Sequence, residues 1–492
     1  MLKAMIRLVP ALTLTMVLGL AGSGTAAMAK APAQQKPTYS YAEYNAYQAA
    51  AKETNPQQRV KLLDDFVSKF PKSTLLPFVY QAYYQTYDEL KQYDKVIEYA
   101  DKLITSNDKV VADGMKLQAL LARERAFDFS PPDPKAADAS QQFQTAQQYA
   151  QMGLGLLDKL AKPAAMTDQQ FAEEKKGPTA LFAYTEGYAA LSLKDYPTAI
   201  KAFKLQLAND PTNAVAYFRL GVAYLEKASQ EQAAAPAAAP AATPAASTTP
   251  ATTSASSTAA PTAAPAAAPA QAPLPGPTPG QQDFLNGFWA LARSVALGGP
   301  TKAQVQAYLQ NQMLVYQKTA CQDLLTGELN NLLQMAQTTE TVDPPSGYTL
   351  PSGIQLTDYL QSNNLFTIMQ DLQVGGDRAT FVWLAVCGNE FPEVPVKVIS
   401  VTPTDTGVDM MVYSGSSSKD LMQAKTANME VKVDNEPDAQ RVKKDDIVRF
   451  TGTVASFDPA PSFLLHWDKA QVNPADIPPA KPGRPVRHGR RL

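Results

Sequence analysis

The side chains able to carry out chemistry are few and scattered along this chain. It holds only two histidines and two cysteines, which leaves little material for a soft-metal site or a histidine proton shuttle. Ser416, Ser417, Ser418 and Lys419 spell Ser-x-x-Lys, the pattern in which a lysine deprotonates a nucleophilic serine. The stretch nevertheless reads as a Gly- and Ser-rich turn between strands, and no Lys-Thr-Gly companion occurs, so a solvated hairpin loop accounts for it. Nucleotide hydrolysis has no support, because there is no Gly-x-x-x-x-Gly-Lys phosphate loop. Adjacent carboxylates at Asp64-Asp65, Glu173-Glu174 and Asp445-Asp446 point away from each other on a helix or turn rather than sharing a site. His466 lies in a strand-like run with Asp468 as its near carboxylate in sequence, and reads as a structural residue. We therefore expect no catalytic residues, no cofactor and no metal. An unrecognised hydrolase using Ser416 is the remaining catalytic alternative.

Length and charge narrow the class further. A chain of 492 residues exceeds what one core organises, so two or three folded units are expected. Lys plus Arg number 44 against 46 Asp plus Glu, which gives no field to recruit nucleic acid, and no nucleic-acid partner is expected. Residues 1–29 read as a signal peptide: Lys3 and Arg7, an apolar run from Leu8 to Leu20, then Ala27-Met28-Ala29 as a cleavage site. That run falls short of the roughly 20 residues that span a bilayer, and no later stretch is apolar enough, so no transmembrane span is expected after cleavage. The expected location is the periplasm or the exterior of a bacterial cell. In an oxidising compartment Cys321 and Cys387 either form a disulfide or remain as two separately buried thiols.

The elements that must position any binding surface are helical over most of the length. Gly187 and Gly221 lie 34 residues apart in matching apolar contexts. Gly187 is followed by Ala199, Phe203 and Pro211 at offsets of 12, 16 and 24, and the second copy opens with Tyr217, Leu220, Gly221 and Tyr224. At these positions the chain resembles the tetratricopeptide (TPR) repeat, in which a glycine lets the two helices of a hairpin approach, aromatics fill the groove between them, and proline stops the second helix. An earlier stretch has the same spacings, from Val60, Leu63 and Phe66 through Val96, Ala100 and Leu103. It crowds ten of the 21 tyrosines between Tyr39 and Tyr99. Among these Tyr80, Tyr83, Tyr84 and Tyr87 are candidates to face a groove and touch a partner; the alternative is that they take the motif's aromatic core positions.

Organisation follows from these signals: TPR-like helical repeats over 30–125, an irregular helical connection over 126–178 opened by Ser130-Pro131-Pro132, and repeats again over 179–228. Residues 229–282 are rich in Ala, Pro and Thr and cannot bury a core, forming either an insertion within a repeat or an interdomain linker. Phe284, Phe288, Leu291 and Val295 make a helix stripe able to pair with Tyr217 to Ala228, and helix continues over 283–390. Over 391–475 the rhythm changes to short alternating runs, namely Val396–Val401, Val408–Tyr413, Met429–Val433, Ile447–Val454, and Phe463–Trp467 with Ala470–Val472. The run from Asp446 to Val454, with Gly452 inside it, resembles the glycine-marked strand of an OB-fold barrel. Residues 476–492 form a Pro-rich basic tail in which His488 sits among arginines, open to weak contact with anionic envelope polymers.

The fold class expected is mainly α, a TPR-like helical-hairpin solenoid followed by a small all-β, OB-like barrel. The leading functional expectation is a non-enzymatic scaffold or adaptor that holds a protein or peptide on its helical repeats. The alternative is that the β domain binds an envelope glycan, lipid or small molecule.

Overall fold

The computed structural model describes residues 39–106, 111–235, 273–299 and 301–479. The expected signal peptide, most of the Ala/Pro/Thr-rich stretch and most of the basic tail lie outside the described residues. The chain divides into two compact units, the first comprising Met1–Ser229, Asp283–Ala307 and Leu333–Ser346, the second Gln230–Gln282, Tyr308–Leu332 and Gly347–Leu492.

The first unit is a run of consecutive helical hairpins. In chain order its helices are α1 (Tyr41–Lys52), α2 (Pro56–Lys69), α3 (Leu76–Glu89), α4 (Tyr93–Ile104), α5 (Asp113–Phe129), α6 (Ala139–Lys159), α7 (Asp168–Ser192), α8 (Tyr196–Asn209), α9 (Ala214–Ala234) and α10 (Gln281–Leu297). Local chemistry sets their ends. Ser40 with Glu43, and Thr167 with Gln170, form capping boxes at α1 and α7, while Asn55 and Pro56 start α2. The stretch expected as an irregular connection, 126–178, is occupied mainly by α6 and the first part of α7. From α1 to α8 each helix packs on the next, and α5 also contacts both α3 and α7. The helices α3, α5 and α7 thus lie side by side.

One hairpin turn recurs in both repeat regions. Leu90-Lys91-Gln92-Tyr93 joins α3 to α4, and Leu193-Lys194-Asp195-Tyr196 joins α7 to α8. Both lysines are left-handed, at φ 57° and 62°. The backbone bonds match: Gln92 N donates to Tyr87 O, and Asp195 N to Ala190 O. Such a residue closes a helix by satisfying its last carbonyls.

The residues singled out for repeat packing lie where two helices press together. A Cβ on Gly187 would stand 2.8 Å from the Phe203 ring, and one on Gly221 would stand 2.7 Å from Leu291 and 3.0 Å from the Gly287 carbonyl. Ala199, Phe203, Tyr217 and Leu220 are fully buried and Tyr224 nearly so, while Pro211 stands in the turn after α8. Thus α10 packs face to face with α9, although residues 235–280 separate them in sequence.

The second unit holds most of α11 (Lys302–Gln317) and α12 (Gln322–Thr338), then α13 (Gly353–Ser362), α14 (Leu365–Val374) and α15 (Gly376–Val386), and a closed five-stranded barrel. Its strands are β1 (Glu390–Pro403), β2 (Val408–Tyr413), β3 (Met429–Val433), β4 (Ile447–Asp458) and β5 (Leu464–Val472), ordered β1-β2-β3-β5-β4 with β4 closing on β1. Only the β3–β5 pair is parallel. A short helix, α16 (Ser418–Gln423), lies between β2 and β3. Inward residues alternate as period-2 patterning requires, with Val396, Val398, Met410, Val431, Phe450 and Trp467 all at most 1% exposed. The two runs expected at Phe463–Trp467 and Ala470–Val472 are one strand interrupted by a bulge, where Lys469 adopts φ 53° and the register against β3 and β4 shifts.

Cys321, just before α12, and Cys387, just after α15, form a disulfide with Cα atoms 5.9 Å apart. Of the two sequence alternatives, the bridge is the one the structure adopts.

Candidate partner-binding surface of the helical unit

The four tyrosines expected to face a groove are placed differently. Tyr83, Tyr84 and Tyr87 are 1%, 3% and 9% exposed and belong to the core, and Tyr80 is half-buried against it. Tyr83 stacks on Tyr99 at 4.0 Å between ring centroids and donates a hydrogen bond to Asp64 at 2.7 Å. The expectation of partner contact through Tyr83, Tyr84 and Tyr87 is therefore corrected. The Tyr83 and Tyr87 rings stack with Tyr99 between α3 and α4, and burial keeps the Tyr83 and Tyr84 hydroxyls protonated, their pKa values pushed well up.

From α3 to α9 the odd-numbered helices have a polar link at each step instead. From α3 to α5 these are Gln81 to Gln118 at 3.4 Å and an ion pair of Asp88 with Arg125 at 2.8 Å. From α5 to α7, Asp128 accepts a hydrogen bond from Tyr184, and from α7 to α9 the Arg219 guanidinium lies 3.6 Å from the Tyr188 ring centroid and 4.8 Å from that of Tyr184. Asp128 is open to solvent, yet the protein around it raises its carboxyl pKa against the pull of Arg219 and Tyr184. Rings, a guanidinium and a carboxyl side by side can sandwich an apolar side chain and bind a peptide's backbone and charge together.

Beneath this strip is a buried ionic group. Arg123 donates from Nε to Asp101 at 2.7 Å and from Nη1 to Glu124 at 3.0 Å, and its guanidinium lies over Tyr149 at 4.9 Å. Glu124 is fully buried, and desolvation raises its pKa from 4.5 to about 7 despite Arg123 and Thr185. The native state therefore holds this proton more tightly than the unfolded chain. The resulting stability is complete below about 4.5 and lost as pH rises through about 7. Urea midpoints measured across that window are expected to fall with rising pH, by up to roughly 1.4 kcal/mol per pH unit at the steepest, and Glu124→Gln to flatten the difference. A wild-type-like slope in the variant would show that Glu124 does not titrate this way.

The other residues weighed for chemistry bond to nearby carboxylates. Ser416 and Ser417 donate to Asp420 Oδ2 at 2.6 and 2.8 Å, and Ser417 caps α16, so Ser416 bonds a carboxylate that belongs to a helix cap. His466 is on the outer face of the barrel, with Nδ1 2.6 Å from Glu430 on β3 and Nε2 3.2 Å from Asp458 on β4. These partners, rather than the sequence neighbour Asp468, are supplied by strand pairing. Among the described residues no group of three or more His, Cys, Asp or Glu is placed to hold a metal, and no helix is long and apolar enough to cross a membrane.

Sequence reasoning missed Asp128, Tyr184, Tyr188 and Arg219 because they come from three helices. The available signal was the i, i+4 spacing of Tyr184 and Tyr188 along α7. In comparisons with known proteins, no protein-family model matches this chain and no curated protein matches it.

Proposed function

We propose that this is an exported, non-enzymatic binding protein of a bacterial envelope, in which a TPR-like helical unit holds a peptide or protein segment and an OB-like barrel forms part of the second unit. The observation that carries the reading is the continuous strip of paired polar and aromatic side chains along the odd-numbered helices, ending in Asp128, Tyr184, Tyr188 and Arg219. Recurrence of the hairpin turn at Lys91 and Lys194, and the glycine contacts at Gly187 and Gly221, support the repeat assignment. The disulfide and the leader-like first 29 residues agree with an oxidising destination.

A peptide selected from a random displayed library against residues 30–492 provides the test. Tyr188→Ala and Arg219→Ala are each expected to weaken its binding about tenfold or more by fluorescence anisotropy, as losses at hot spots do, with circular dichroism unchanged. Selected peptides that bind both variants as tightly as the parent protein would place the binding surface elsewhere.

A further inference from the structure

The second unit contains a cavity of about 570 Å³ with no part in the peptide-binding strip. Its walls come from α12, from α14 and α15, and from the β4–β5 loop, with Leu324, Leu372, Trp383, Leu384 and Phe457 supplying an apolar surface. Two features hold it open. The α14–α15 junction is Gly375-Gly376, both with positive φ (76° and 60°), a reversal that favours residues without Cβ. Buried Asp371 then ties the two helices, accepting from Tyr359 at 2.6 Å and pairing with Arg378 at 2.8 Å.

Glu328 is the sole ionisable residue among those lining the cavity. Its Oε2 is sealed from solvent, and Gln317, the side chain that bonds the carboxyl, is neutral. Burial lifts its pKa from 4.5 to about 7, and the side chains that act with it, Gln317 and Tyr348, bring no positive charge. A carboxylate at an apolar wall without a counter-charge is costly, and a cation entering the cavity would remove that cost. An anionic ligand would instead meet a like charge with no Lys or Arg lining the site. The volume is that of a small-molecule site, where apolar walls give affinity and one polar group gives orientation.

We propose that this cavity is a binding site for a small amphipathic amine, its alkyl or aryl body against Leu372, Trp383 and Phe457 and its ammonium group paired with Glu328.

The test uses the mature protein and three probes of equal chain length, octylamine, 1-octanol and octanoate, titrated by calorimetry at about pH 8, where a carboxyl of pKa near 7 is ionised. Octylamine is expected to bind saturably at 1:1 and about tenfold or more tighter than octanol, a preference of at least about 1.4 kcal/mol, with octanoate weakest. Glu328→Gln should erase the advantage of the amine over the alcohol. Ala379→Trp, which adds an indole at another lining residue and leaves Glu328 in the sequence, should abolish binding of all three, and it carries the test alone if the glutamine variant does not fold. Absence of saturable octylamine binding, equal affinity for octanoate, or full octylamine affinity in either folded variant would overturn the proposal.

Discussion

Replacing Cys321 and Cys387 together by serine is expected to lower the stability of the second unit by about 4 kcal/mol. The bridge closes a segment with a sequence separation of 66, and in the chain-entropy model a loop of that size restricts the unfolded ensemble by about this amount. The geometry concentrates the loss. Cys387 is nearly buried, and the following Gly388 takes φ 72° at a place where a Cβ would meet Ala320 at 3.0 Å, so the link joins the start of α12 to the junction of α15 with the barrel. Urea unfolding followed by tryptophan fluorescence reads this directly, because Trp467 is fully buried in the barrel core and Trp383 lines the neighbouring cavity. Dithiothreitol should shift the wild-type transition toward that of the double-serine variant and leave the variant unmoved. A double-serine protein that unfolds at the wild-type midpoint would mean the loop is already held by packing alone.

Gly221→Val is expected to cost the first unit about 1–3 kcal/mol or more, the range for overpacking a filled interior. One obstacle is the Leu291 side chain, which can shift. The other is the Gly287 carbonyl on the facing helix, 3.0 Å from the new Cβ, which moves only if α10 moves. Gly287 in turn presses on Leu225, so each helix offers a glycine to the other. A thermal scan should show the loss in Gly221→Val, whereas valine at Gly155, where an added Cβ would have nothing within 4 Å, should change stability far less. Equal behaviour of the two variants would remove close helix approach as the reason for glycine at position 221.

The same pair shows how far the repeat could be read. Gly187 meets Phe203 within one uninterrupted hairpin, at the spacing the sequence displays. Gly221 has no such partner 34 residues after Phe203, since Ala237 stands there, outside the described residues. Leu291 takes that place from beyond the Ala/Pro/Thr-rich stretch. Helix period marked both segments as amphipathic, and the structure brings them into contact.

The helix-rich character of the first unit, the repeat packing at Gly187 and Phe203, the β-rich end and the scarcity of groups able to do chemistry were all legible in the order of residues. Each depends on short-range periodicity or composition, which neighbours in the chain settle among themselves. Which aromatics are core and which are accessible emerged only from the packing of distant helices. Tyr83 is enclosed by α2 and α4, whereas Tyr188 is half-buried, resting on Phe127 and Phe143 while its ring also meets an arginine from α9. Folding likewise brought Glu430 and Asp458 to His466, and set Glu328 in an apolar wall. A side chain's environment is made by contacts between segments far apart in the chain, and burial, charge pairing and pKa follow from that environment.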